Sequence, residues 1–150
     1  MKKNAMAMIK KVFENNGWAY EQEDDMFYTQ LDMQNLTNVY YMVLVRDTEY
    51  LVYAQLPHKI PEAALPRMAE YLHRANFLMP FCNFELDYYE KEVRVKSYVD
   101  FELCKLSYGI VDNSMTYPIG MLQTHADSLM RVMYSNDNVE ELYLKAIDQE

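Results

Sequence analysis

"NFELDYYEKEVRVKSYVDFE", Asn83 to Glu102, alternates apolar and polar residues through most of its length. Successive side chains on a strand point to opposite faces, so residues two apart share one. Cys82, Phe84, Leu86 and Tyr88 share a face on the first half; Val93, Val95, Val99 and Phe101 share one on the second, interrupted by Ser97. The polar sets are Glu85 and Asp87, then Arg94, Lys96, Asp100 and Glu102. With Glu90 and Lys91 at the tip of an antiparallel hairpin, Asp87 lies opposite Arg94 and Glu85 opposite Lys96, while Tyr88 meets Val93 and Leu86 meets Val95. Both faces agree on this register, and a one-residue slip would drive Arg94 and Lys96 into the core. Each exposed charge pair contributes only ~0.2–1 kcal/mol, so its value lies in choosing the register. The stretch reads as a half-covered ribbon, built for contact rather than chemistry.

Outward from the ribbon the periods change. Upstream, "PHKIPEAALPRMAEYLHRANF" places Leu65, Met68, Leu72 and Ala75 on one helical face. Pro61 or Pro66 takes the first helical position, where a missing N–H is harmless, and Asn76 caps the end. Before it, "VYYMVLV" at Val39 to Val45 is apolar throughout and is expected to be a central strand covered on both faces. "EYLVYAQL" returns from a turn at Arg46 to Thr48 as its neighbour, and "MFYTQLDM" precedes it as a strand wetted on one side. Ala5 to Asn16 form a first helix through Met6, Ile9, Val12 and Phe13, stopped by "NNG" at Asn15 to Gly17. Downstream, a loop is expected around Gly109 to Asn113. "SMTYPIGMLQTHADSLMRVM" is then helical, with Ser114 or Thr116 as cap, and Val139, Leu142, Tyr143, Ala146 and Ile147 form a last amphipathic piece. The order is helix, three strands, helix, two strands, and one long helix or two.

"RMAEYLHRANF" followed by "NFELDYYEKEVRVK" resembles the signature of the YbjN-like family, bacterial proteins whose fold is similar to that of the type III secretion chaperones. By element order the resemblance covers most of the chain; by motif it covers about Arg67 to Phe101, and those motifs are structural. The family usually has a Gly in the hairpin tip where this chain has Glu90 and Lys91, which leaves a four-residue tip, Tyr89 to Glu92, equally open. The resemblance implies an α+β domain spanning residues 1–150, with a five-stranded antiparallel sheet packed with helices, often as a homodimer. It implies a non-enzymatic interaction module, chaperone-like or regulatory, with a protein or peptide partner and no cofactor.

Charge and composition limit the partners. With 150 residues the chain is long enough to bury about 70% of its unfolded surface without metal or disulfide staples. Fourteen Lys and Arg stand against 23 Asp and Glu, a net charge of −9 that repels phosphate backbones and anionic lipid. No nucleic acid and no membrane partner is expected. The one basic cluster, Lys2, Lys3, Lys10 and Lys11, brackets "NAMAMI", which is too short for a signal peptide's ~7–15 apolar residues, so a cytoplasmic address is expected. Cys82 and Cys104 are read as reduced and buried.

A search for chemistry returns absences. Three glycines, Gly17, Gly109 and Gly120, build neither a P-loop nor a dinucleotide fingerprint, and no serine sits in a G-x-S-x-G elbow. His58, His73 and His125 stand apart without metal-ligand spacing. Glu85 with Asp87 and Asp100 with Glu102 each share a strand face, but Arg94 and Lys96 explain the first pair as ion pairing. "EQEDD" at Glu21 to Asp25 reads as a solvated run.

Twelve methionines and fourteen tyrosines exceed expectation. Methionine adapts to irregular surfaces and tyrosine offers a wide ring with a polar end. Met8, Met68, Met121, Met130 and Met133 are read as core filler. Tyr40, Tyr41, Tyr50 and Tyr53 crowd two adjacent strands and cannot all be buried on one face. With Tyr71 they form the candidate partner surface. The competing reading is a small-molecule sensor or enzyme with a pocket between the C-terminal helix and the sheet, lined by aromatics and by His125 or Asp127.

Overall fold

The computed structural model describes residues 1–148; Gln149 and Glu150, the end of the expected 1–150 domain, lie outside the described residues. Ala5, Ile9, Val12 and Phe13 form the buried stripe of α1, Lys2–Asn15. Gly17 ends it in the left-handed region at φ 68°, as the "NNG" stop signal requires. Six strands follow from five stretches of chain once the "EQEDD" run is seen to fold back: β1, Glu21–Glu23, pairs with β2, Met26–Leu31, through a turn in which Asp24 takes φ 51°. The sheet therefore has six strands where five were expected. β1 carries only charged and amide side chains, all exposed, and no apolar period announces it.

β3, Val39–Val45, and β4, Glu49–Gln55, complete the first meander. Contrary to the expectation of double cover, β3 alternates. Val39, Tyr41, Val43 and Val45 are buried, while Tyr40, Met42 and Leu44 point to the other side. The helices of the described residues cover one face of the sheet, so only one row of the apolar run is buried. A short 3-10 turn at Glu62–Ala64 leads into α2, Leu65–Asn76, with Pro66 in the first turn where no N–H is needed. Leu65, Met68, Tyr71, Leu72 and Ala75 are its buried face.

The central ribbon becomes β5, Asn83–Asp87, and β6, Glu92–Asp100, and the strand order across the sheet is β1-β2-β3-β4-β6-β5, antiparallel throughout. Its faces are as read: Phe84, Val93, Val95 and Ser97 are buried. Its register is displaced by two residues. Glu85 lies opposite Arg94, Leu86 opposite Val93, and Asp87 opposite Glu92, with a four-residue tip, Tyr88 to Lys91. Asp87 Oδ1 accepts from the amides of Tyr89 and Glu90, and Lys91 turns the chain at φ 58°, which holds this longer loop. Tyr88 consequently stands in solvent instead of over Val93.

Asn76 does more than end α2. Its Nδ2 donates to Phe84 O at 3.0 Å and its Oδ1 accepts from Phe84 N at 2.6 Å, so a side chain takes the place of a further strand on the outer edge of β5. Asn76→Ala is expected to cost about 1–3 kcal/mol by leaving the Phe84 amide without a partner and its carbonyl with only the longer bond from Asn83 Nδ2 at 3.3 Å. A urea titration measures the loss; an unchanged midpoint would show that water replaces the amide freely.

The C-terminal segment is α3, Tyr108–Tyr134, followed by a separate α4, Val139–Ile147. The expected loop at Gly109 to Asn113 is instead the first turns of α3, because Ser107 caps it, its Oγ accepting from the Ile110 amide at 3.2 Å. Pro118 sits inside this helix and supplies no N–H to the carbonyl of Ser114. Ser97 Oγ donates to that carbonyl at 2.6 Å. The one polar residue on the buried face of β6 thus satisfies the one carbonyl that the proline leaves open.

Candidate interaction surface

The face of the sheet opposite the helices is uncovered, and its side chains follow from the pairing register. One row across the strands runs Tyr28, Met42, Tyr53, Lys96; a second runs Met26, Leu44, Leu51, Tyr98; a third runs Gln30, Tyr40, Gln55, Arg94. Tyr40 and Tyr98 are about half exposed, at 48% and 52%, and the apolar side chains between them are half-buried against one another. A groove of about 1030 Å³ crosses this face from Tyr20 and Glu21 to Lys59 and Arg94, over Tyr28, Tyr40, Met42 and Tyr53.

Its cations are already engaged. The Arg94 guanidinium lies 4.1 Å from the Tyr53 ring centre, while its Nε and Lys96 Nζ each donate to Glu85 at 2.8 Å. Burial would raise the Glu85 carboxyl, but these two donors more than offset it and hold it below its ordinary value. Lys59 Nζ donates to Glu92 at 2.5 Å. At the other end a hydrogen bond to the Glu21 carboxylate raises the Tyr28 phenol above its ordinary value. One polar atom of the groove wall, His58 Nδ1, is buried with no hydrogen-bond partner.

The five tyrosines singled out from the sequence divide. Tyr40 and Tyr53 lie on the open face. Tyr41, Tyr50 and Tyr71 do not belong to a contact surface: each is almost completely buried, at 1%, 0% and 0%. Their hydroxyls explain why. Tyr41 Oη donates to Met115 O at 2.7 Å, and Tyr50 Oη shares a hydrogen bond with Ser114 Oγ at 2.6 Å, both beside the Pro118 break in α3. Burial pushes the Tyr41 phenol well up and that of Tyr50 up to about 12, so both stay protonated as hydrogen-bonding groups. Tyr71 Oη and His125 Nδ1 are 2.6 Å apart in the core between α2 and α3.

His125 and Asp127 do not line a common pocket. His125 is 2% exposed and packs edge-on against Tyr71 and Phe84, whereas Asp127 faces solvent beside Asn35. Cys82 is buried, with its thiol pushed up to about 11, but Cys104 is exposed, against the expectation for both. Among the described residues no three of His, Cys, Asp and Glu converge as metal ligands, and no helix is long and apolar enough to cross a membrane.

The sequence reading missed a second apolar patch. Phe77, Leu78 and Phe81 are exposed after α2, and Phe81 stacks on Tyr117 with ring centres 4.8 Å apart. The signal was the run "NFLMPF", Asn76 to Phe81, which keeps neither helical nor strand period.

No protein-family model and no curated protein matches the chain. Solved structures do match in fold. YbjN from E. coli, a proposed transcription regulator, superposes with a TM-score of 0.61 at 15% identity over 79% of this chain and 89% of that one. The ExsC–ExsE complex gives 0.58 at 14% identity over 91% and 98%. The type III secretion chaperone SycH of Yersinia pestis, solved with a stable fragment of YscM2, gives 0.51 at 13% over 85% and 98%. The fold is thus α+β, YbjN-like and type III secretion chaperone-like.

Proposed function

We propose that the protein is a non-enzymatic interaction domain, chaperone-like or regulatory, that acts as a homodimer in the bacterial cytoplasm and holds a polypeptide partner against the open face of its sheet. The observation that carries this reading is the patch centred on Tyr40, Met42, Leu51 and Tyr53, a largely apolar stretch of sheet that no helix covers. The edges of the sheet favour a face over an added strand. β1 is three exposed polar residues long, and β5 is closed at Phe84 by Asn76. A fold shared with SycH, solved with a fragment of YscM2, supports a polypeptide as the partner class. The net charge of −9 supports the exclusion of nucleic acid.

Affinity capture from native lysate, with mass measurement of what is bound and light scattering for the oligomeric state, tests the reading. A dimer that captures a defined polypeptide is expected, and the variant Leu51→Glu should lose the capture while keeping the wild-type circular dichroism. A monomer that captures no polypeptide would overturn it.

A further inference from the structure

We infer that the groove takes an extended polypeptide segment laid across the strands, with apolar side chains over Tyr28, Tyr40, Met42 and Tyr53 and a lysine or arginine at the β1 end. This rests on the reading of the open face as the partner surface and adds the chemistry of the partner.

Two observations carry it. The first is shape. The groove spans the strands from β1 to β6, roughly 19 Å at the ~4.8 Å spacing between neighbours, which matches five or six extended residues. Its floor alternates rings and a thioether with the amides of Gln30 and Gln55, which hydrogen-bond peptide groups as donor or acceptor. The second is charge. Among the described residues, no Lys or Arg lies within ion-pair distance of Glu21, Glu23 or Asp24, whereas at the far end Lys59 is matched by Glu92 and Glu90, and Arg94 by Glu85. Glu21 lines the groove, and Glu23 and Asp24 follow it on β1 and its turn, so the groove is negative at this end and close to neutral at the other, and a chain carrying −9 overall adds to the attraction for a cationic segment.

Short fluorescein-labelled synthetic peptides with one Leu- and Phe-containing core, flanked by lysines, serines or glutamates, test the inference by fluorescence anisotropy on the full chain. The lysine-flanked peptide is expected to bind about tenfold tighter than the glutamate-flanked one. High salt should close that gap, as should the triple variant Glu21→Gln, Glu23→Gln, Asp24→Asn, in which asparagine keeps the left-handed conformation at position 24. The double variant Tyr40→Ser, Tyr53→Ser should abolish binding of all three peptides, with circular dichroism confirming that both multiple variants are folded. Equal binding of all peptides that is still lost in the tyrosine variant would overturn the charge preference and leave the interaction reading standing. Binding indifferent to the tyrosine variant, or no binding at all, would overturn the groove as a peptide site. So would a tyrosine variant that turns a dimer into a monomer, since a second copy would then occupy the face.

Discussion

Phe13→Ala is expected to destabilise the protein by about 3–5 kcal/mol, the largest loss from any single substitution considered. Phe13 is fully buried at the seam between α1 and the sheet. Its ring centre lies 4.8 Å from that of Tyr20, 5.9 Å from Tyr41, and 6.1 Å from both Trp18 and Phe27, so removing it empties the middle of a five-ring cluster. The neighbours are held from several elements and cannot all move in to fill the space. Tyr41 belongs to this cluster and also donates to α3, so the damage should reach the junction of the helical layer with β3. Urea unfolding followed by circular dichroism measures the effect. A loss below about 1 kcal/mol would mean that α1 contributes little to the fold and that the cluster repacks.

The hairpin shows what alternation decides and what it leaves free. A period of two assigns each residue to a face, and the faces of Phe84, Val93 and Val95 are as expected. A shift of two residues preserves every face, so the pattern could not distinguish Glu85 opposite Lys96 from Glu85 opposite Arg94. The turn made that choice, through Asp87 and the left-handed Lys91. Glu85 lies between both cations in the end, directly opposite one and diagonal to the other, so it is paired in either register, while Asp87 gives up the expected Arg94 for a place opposite Glu92 and its carboxylate accepts from the turn amides.

Cover was harder to read than direction. "VYYMVLV" is apolar on both sides, but which side receives helices depends on where α1 and α3 return in space, and that is not local information. The five tyrosines failed to act as one set for the same reason. Adjacent residues on a strand point apart, so Tyr40 and Tyr41 had to separate, and three of the five carry hydroxyls that serve helix atoms far along the chain. Ser97 illustrates the limit. Its interruption of an apolar face was visible, while its reason, a proline twenty-one positions later that frees one carbonyl, is tertiary. β1 left no trace because a fully exposed edge strand needs no apolar period.

Acid should weaken the protein through His125. Burial lowers its imidazole from 6.5 to about 4, so the folded chain refuses a proton that the unfolded chain accepts between those values. The sign follows from linkage: stability is intact above about pH 6.5, falls as the pH drops toward 4, and loses no more through this group below that. The full loss is about 3 kcal/mol, from the fall of the imidazole from 6.5 to about 4 at ~1.4 kcal/mol for each pH unit. The surroundings give this its force. Tyr71 Oη is at 2.6 Å, the Phe84 ring centre is at 5.4 Å, and among the described residues no carboxylate is paired with the imidazole to stabilise its cation. His125→Gln keeps a hydrogen-bonding group for Tyr71 and removes the titration. Urea midpoints measured from pH 7 to pH 4 should therefore fall more steeply for the wild type than for the variant, with the difference confined to that window. Parallel curves would mean that His125 reaches solvent and takes its proton in the folded state. α2 and α3 would then be separable near His125, and the space between them would be open to a partner in addition to the face of the sheet.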